Sequence, residues 1–240
     1  MTPTSLHRRR PALAASAVTH CQLAAYAAPA LALSALIALS ACGKDQPTQP
    51  VTLAHDTTVP AATSGNVEAR TSQIVTDGSS PSQVFDDFIV AQGGTVRTVG
   101  WQGIYCVQQA NAPAPTPTAT SFTVSFYSDV SGRPNTAAPL QTSTYTVAQA
   151  GQVFEKTVAG LTCGTATNTT WPFYRYSVAL ATPFTAAAGT KYWISIQATT
   201  PSYSVYWGWR DGLVDNSLSL QLYQGTYTTY NVDRAYSLAP

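Results

Sequence analysis

The chain has 240 residues, with 12 Lys and Arg against 11 Asp and Glu and a formal net charge of +1. The few cations form no basic stripe, which excludes the electrostatic footprint of a nucleic-acid-binding protein. Only 10 % of residues are charged, and Thr, Ser, Tyr and Gln are abundant, a composition that fits the surface of an exported β protein.

In chain order, the first element is an export signal. Arg8, Arg9 and Arg10 form a basic start, and Gln22 to Ala41 carries no charge in an Ala- and Leu-rich run. A basic start, an apolar middle and small residues at the end predict a signal peptide over 1–41. The competing reading is a retained signal anchor, because an uncharged run of this length can span a bilayer.

The run ends in Leu39-Ser40-Ala41-Cys42, which resembles the lipobox of bacterial lipoproteins. Leu39 takes the apolar slot, Ser40 and Ala41 the small slots, and Cys42 the acceptor position. The resemblance implies that Cys42 is lipidated, becomes the new N-terminus and makes a membrane the first partner. Gly43 in place of an Asp after the cysteine implies, within that family, the outer membrane or the cell surface. The several acyl chains that the resemblance implies would anchor stably, where a single chain holds only marginally.

Residues 42–83 contain "KDQPTQP", "TTVPAATSGN" and "DGSSPSQ", with no apolar period. This composition predicts a flexible tether, able to hold a domain about 35 Å from the lipid. The alternative is a strand within "VTLAHDTTV".

From Val84 to Pro240, period-2 alternation recurs. It places Phe122, Val124 and Phe126 on one face; Tyr174, Tyr176, Val178 and Leu180 on another; and Tyr192, Ile194 and Ile196 opposite Trp193. Leu218, Leu220 and Leu222 alternate in the same way. Turn signals separate the runs, and no stretch keeps a helical period. The expectation is one all-β domain over 84–240, an antiparallel β-sandwich of jelly-roll type.

The stretches "VFDDFIV", "SFTVSFYSDVSGRPN", "AAGTKYWISIQA" and "YWGW" resemble a recurrent module of bacterial exported and surface-anchored proteins. In it a D-D-F strand opens the domain, an F-x-V-x-F-Y-x-D strand enters a G-x-P turn, and a Y-W-I-S-I strand follows a Gly. The resemblance implies a β-sandwich and no particular chemistry.

With Cys21 in the signal and Cys42 lipidated, Cys106 and Cys163 remain, an even pair expected to form a disulfide in an exported domain. The histidines are His7, His20 and His55, all in the predicted signal or tether. Their placement would exclude a Ser-His-Asp or Cys-His site and a zinc centre of the usual kind from the domain. A glycoside hydrolase would need a carboxylate pair, and nothing selects two among Asp86, Asp87, Asp129, Glu155, Asp211, Asp215 and Asp233. Asp86, Asp129 and Asp233 are weak calcium candidates, because calcium takes several oxygens and the turn "DVSGRPN" offers one carboxylate. No cofactor is implied.

In "YSVYWGWRDG" (203–212) alternation sends Trp207 and Trp209 to one face. Trp207 reads as core. Trp209, at the strand end beside Arg210 and Asp211, reads as a rim residue able to stack on a sugar ring while the charges bond its hydroxyls. Trp171 is expected to be a second exposed ring. The functional expectation is therefore a lipid-anchored, non-catalytic binding domain with a glycan ligand. The alternative is a structural or adhesive surface module with protein partners; a glycoside hydrolase ranks third.

Overall fold

The computed structural model describes residues 55–60, 68–107, 114–163 and 166–240, with side chains described for all of these except 159–170. Every described residue belongs to one compact unit within Pro47–Pro240. The expected signal peptide, Cys42 and the first part of the tether lie outside the described residues.

The described residues form fifteen strands and no helix. These are β1 His55–Asp56, β2 Ala69–Thr71, β3 Gln73–Val75, β4 Ser82–Ile89, β5 Gly94–Cys106, β6 Ser121–Val130, β7 Arg133–Pro134 and β8 Gln141–Thr146. They continue with β9 Val153–Cys163, β10 Ala166–Ala186, β11 Lys191–Thr200, β12 Tyr206–Arg210, β13 Ser219–Tyr223, β14 Thr226–Tyr230 and β15 Tyr236–Ala239. Two sheets make a β-sandwich. One runs β1-β15-β5-β10-β9, with β12 joining β5 to β2; the other runs β14-β13-β4-β3-β11-β6-β7, with β8 on β6.

Alternation explains the core. Phe122, Val124 and Phe126 of β6, Ile194 and Ile196 of β11, and Tyr176, Val178 and Leu180 of β10 all point between the sheets. Trp101 stacks on Tyr176 at 5.2 Å between ring centres, and Phe126 on Phe184 at 4.2 Å, contacts that add to the area each ring removes from water. Trp193 points the other way, as its phase requires. With Phe85, Tyr127 and Leu220 it builds a second apolar cluster on the outer face. Asp129, at the end of β6, accepts the Trp193 indole N–H at 2.7 Å, and the Arg133 guanidinium sits 5.1 Å from the Tyr227 ring.

Two expectations change. Within the segment read as a tether up to residue 83, the described residues 55–60 and 68–83 are part of the fold. β1 pairs with β15, β2 with β12, and β3 with β11. Two of its hydroxyls are tied into the structure. Thr57 Oγ donates to Arg234 O at 2.6 Å. Ser72 Oγ donates to Ile196 O at 2.6 Å and accepts Val84 N–H at 3.1 Å. Second, the sandwich is not wholly antiparallel, since β3 runs parallel to β11. β4 follows β11 only as far as Ser195, and β3 takes over from Ala198 to Thr200. Ser72 sits at this fork and satisfies both strands.

Candidate functional site

The aromatic strand that drew attention in the sequence is packing. Trp207 and Trp209 are both 0 % exposed. The Trp207 ring meets Phe122 edge-on at 5.2 Å, and its N–H donates to Tyr176 OH at 3.3 Å. Gly103 makes the room, since a Cβ there would lie 2.5 Å from the indole. Trp209 donates to Ala235 O at 3.0 Å and packs on Tyr236. Trp171 is also 0 % exposed and packs with Ile104, Cys106 and Phe173. Neither Trp209 nor Trp171 can stack on a ligand.

The cause of burial at the strand end is the N-terminal segment. Asp211 N–H bonds Glu68 O at 2.9 Å, and Leu213 N–H bonds Thr57 O at 2.8 Å. These residues cover the edge that would have been open beside a tether. Arg210 is turned inward, 5.0 Å from the Phe173 ring, and Asp211 pairs with the buried Arg234. Burial pushes the Asp211 carboxyl up and the Arg210 guanidinium down, with the opposite charges beside each working against that.

The calcium candidates do not converge. Among the described residues no three His, Cys, Asp or Glu side chains are grouped to hold a metal. Asp129 is used by Trp193 and by the Gly132 N–H. Asp233 accepts the N–H groups of Asp215, Ser217 and Leu218 at 2.6, 3.0 and 3.1 Å, so it shapes a turn. Asp86 is buried between the sheets, accepts the Arg234 backbone N–H, and is pushed well up by desolvation. Asp87 faces the opposite side, as alternation requires. It bonds Lys191 Nζ at 2.9 Å and Asn216 Nδ2 at 3.1 Å.

The histidine argument also needs correcting. His55 lies inside the domain, its ring 4.7 Å from that of Tyr236 and its Nδ1 3.7 Å from Asp215. Desolvation lowers its pKa, against the pull of Asp215. The domain therefore holds a His–Asp pair, and the absence of histidine is no ground for excluding such chemistry. Cys106 is buried and disulfide-bonded; the side chain of Cys163, its expected partner, lies outside the described residues.

A different set of residues builds a site. β15 pairs with β5 at Thr98–Trp101 and β12 with β5 at Gly103–Cys106, so Gln102 sits at the seam where one neighbour replaces the other. Its amide is fixed. Oε1 accepts the Val59 N–H at 2.9 Å and Nε2 donates to Val59 O at 2.9 Å. The second Nε2 hydrogen goes to Glu155, at 3.0 and 3.1 Å from its two oxygens. Glu155 is the extra residue of a β-bulge, because Phe173 pairs with Lys156 but Tyr174 with Phe154. A bulge re-aims a side chain out of alternation, and here it brings the carboxylate beside Gln102.

These residues line a pocket of about 280 Å³ on the outer face of the first sheet. Arg175, directly opposite Gln102 across β10 and β5, brings its Nε to 3.6 Å from Glu155. Arg210 approaches the other oxygen from behind at 4.0 Å. Gly100, Ser177 and Ser237 form the floor and Thr58 to Pro60 a wall. A Cβ at Gly100 would meet Ser237 Oγ at 2.6 Å, so the glycine keeps the floor open. The sequence named Glu155 only as one carboxylate among seven and passed over Gln102 and Arg175. The bulge that selects Glu155 has no local signature in "QVFEKTV".

A protein-family model described as a domain of unknown function (DUF7901) matches residues 58–228. That span includes Thr58, Gln102, Glu155 and Arg175. No curated protein and no solved structure matches the chain.

Proposed function

Because the chain belongs to the DUF7901 family, a domain of unknown function, we propose its role from its own residues: a non-catalytic domain that binds glycans in the Glu155 pocket. The observation that carries this reading is the donor and acceptor set. The exposed Arg175 guanidinium donates, held from beneath by the buried Glu155 carboxylate, and the Ser177 and Ser237 hydroxyls make no hydrogen bond to another described residue. Specific sites use a few fixed polar groups of this kind, and Gln102 fixes the carboxylate. Hydrolysis of a glycosidic bond uses two carboxyl groups across the bond. Glu155 is the one carboxylate among the described lining residues, which favours binding over hydrolysis.

A glycan array probed with the protein should give hits whose affinity falls about tenfold or more in Glu155→Gln, because the neutral amide no longer holds the Arg175 guanidinium by a charge-assisted contact. An array without hits would sink the glycan reading in favour of a structural or adhesive module. Undiminished binding by Glu155→Gln would move the site elsewhere.

We further propose that the domain is held in the cell envelope, at the outer membrane or cell surface, by lipid on Cys42. The support is the sequence from Arg8 to Cys42. Cells fed labelled fatty acid should label the wild type and not Cys42→Ala; equal labelling of both would refute the anchor.

A further inference from the structure

The charges around the pocket do not cancel. Glu155 carries one negative charge and is 1 % exposed at its side chain. Two guanidiniums face it, Arg175 at 3.6 Å and Arg210 at 4.0 Å. Arg210 is sealed behind the carboxylate and its side chain is 2 % exposed, so it neutralises Glu155 from the protein side. Arg175 differs, with 61 % of its side chain exposed. Its one ion-pair contact among the described residues runs through Nε, which leaves both terminal nitrogens without a described protein partner at the pocket mouth. A guanidinium presents paired donors whose spacing matches the two oxygens of a carboxylate.

From this geometry we infer that the pocket selects acidic sugars of the uronic acid class, an inference that rests on the glycan reading above. Arg175 takes the sugar carboxylate on its terminal nitrogens. Glu155, sealed at 1 % side-chain exposure, holds the Arg175 guanidinium through its Nε from beneath, and Ser177 and Ser237 meet ring hydroxyls on the floor. Each part has a physical reason. With Arg210 balancing Glu155, Arg175 leaves one unmatched positive charge, the complement of one monoanionic group. A phosphate dianion would bring a second negative charge against Glu155 with no further uncommitted cation in the lining. A neutral sugar would leave the Arg175 fork unused. The bulge matters as well, since it puts the Glu155 carboxylate beside Arg175 and so fixes where the guanidinium stands at the pocket mouth.

The test is titration calorimetry of the full chain with trisaccharides of galacturonate, glucuronate and mannuronate, each beside its methyl ester. The ester keeps the ring and hydroxyls and removes the charge. At least one acid should bind tenfold or more tighter than its ester, with an affinity that falls as salt rises. Arg175→Ala should bring the acid down to the affinity of the ester, and Arg175→Lys should restore part of the difference, since lysine supplies the charge without the fork. Arg175 is exposed, so its variants should fold, and unchanged thermal unfolding would confirm it. If esters bind as well as acids, or if neutral array glycans bind and no uronate does, the charge inference is overturned while the glycan reading stands. If no saccharide of either kind binds, both fail. If Arg175→Ala keeps the preference, the assignment to Arg175 is wrong.

Discussion

Trp209→Ala should destabilise the domain by about 3–5 kcal/mol, the range for truncating a large buried aromatic, and should match Trp207→Ala. Both rings are fully buried and each indole N–H has a buried acceptor, Tyr176 OH for Trp207 and Ala235 O for Trp209. Alanine at 209 removes the packing on Tyr236 and one of the two donors to the Ala235 carbonyl, which keeps the Gln102 N–H at 3.1 Å, so the cost is mainly that of the cavity. Domains of this kind have about 5–15 kcal/mol in total, so each change removes a large share. Paired denaturant titrations decide the matter: a Trp209→Ala loss below about 1 kcal/mol would place that ring at the rim and reopen a binding role for the strand.

Arg234→Ala should cost a similar amount, about 3–5 kcal/mol, the range for breaking a buried ion pair from one side. Arg234 is fully buried, pairs with Asp211, and donates from Nε to Ser219 Oγ at 3.2 Å. Its removal leaves Asp211 and Asp86 without the cation that lowers both their pKa values against burial. Combining Arg234→Met with Asp211→Asn should recover part of the loss, because the second change removes the stranded charge. Denaturation of the single and double variants at neutral pH reads both. A single-variant loss under about 1 kcal/mol, or a double variant no more stable than the single, would refute this account of the cluster.

The sandwich was legible because alternation is local. Phe122 to Phe126, Tyr192 to Ile196 and Tyr174 to Leu180 each display their buried face within a few residues, and each has that face in the structure. The opposition of Trp193 to Ile194 was legible for the same reason. What sequence could not show depends on partners distant in the chain. "HDTT" and "ARTSQIV" have the polarity of a linker, and their pairing with β15, β12 and β11 lies more than a hundred residues away. The misjudged exposure of Trp209 follows from that one omission, since Thr57 and Glu68 close the strand end. Trp171 was misread through its loop-like neighbours, though it packs on Ile104 and Phe173. Glu155 was invisible as a site residue because a bulge, a property of two strands together, re-aims it.

The pairing of the first strands with the last has a consequence for how the domain comes into being. Thr57 bonds residues 177 and 179 positions later, and β1, β2 and β3 each pair with a strand from the final quarter of the chain. Synthesis delivers the N-terminal segment first, so β1 and β2 wait for partners through most of chain elongation, while β3 has only its Gln73–Ser82 pairing with β4 until β11 arrives. Such long-range closure makes folding slow, and the sandwich is complete only once β11, β12 and β15 have emerged. Their arrival ties the first described strands and the last ones down together.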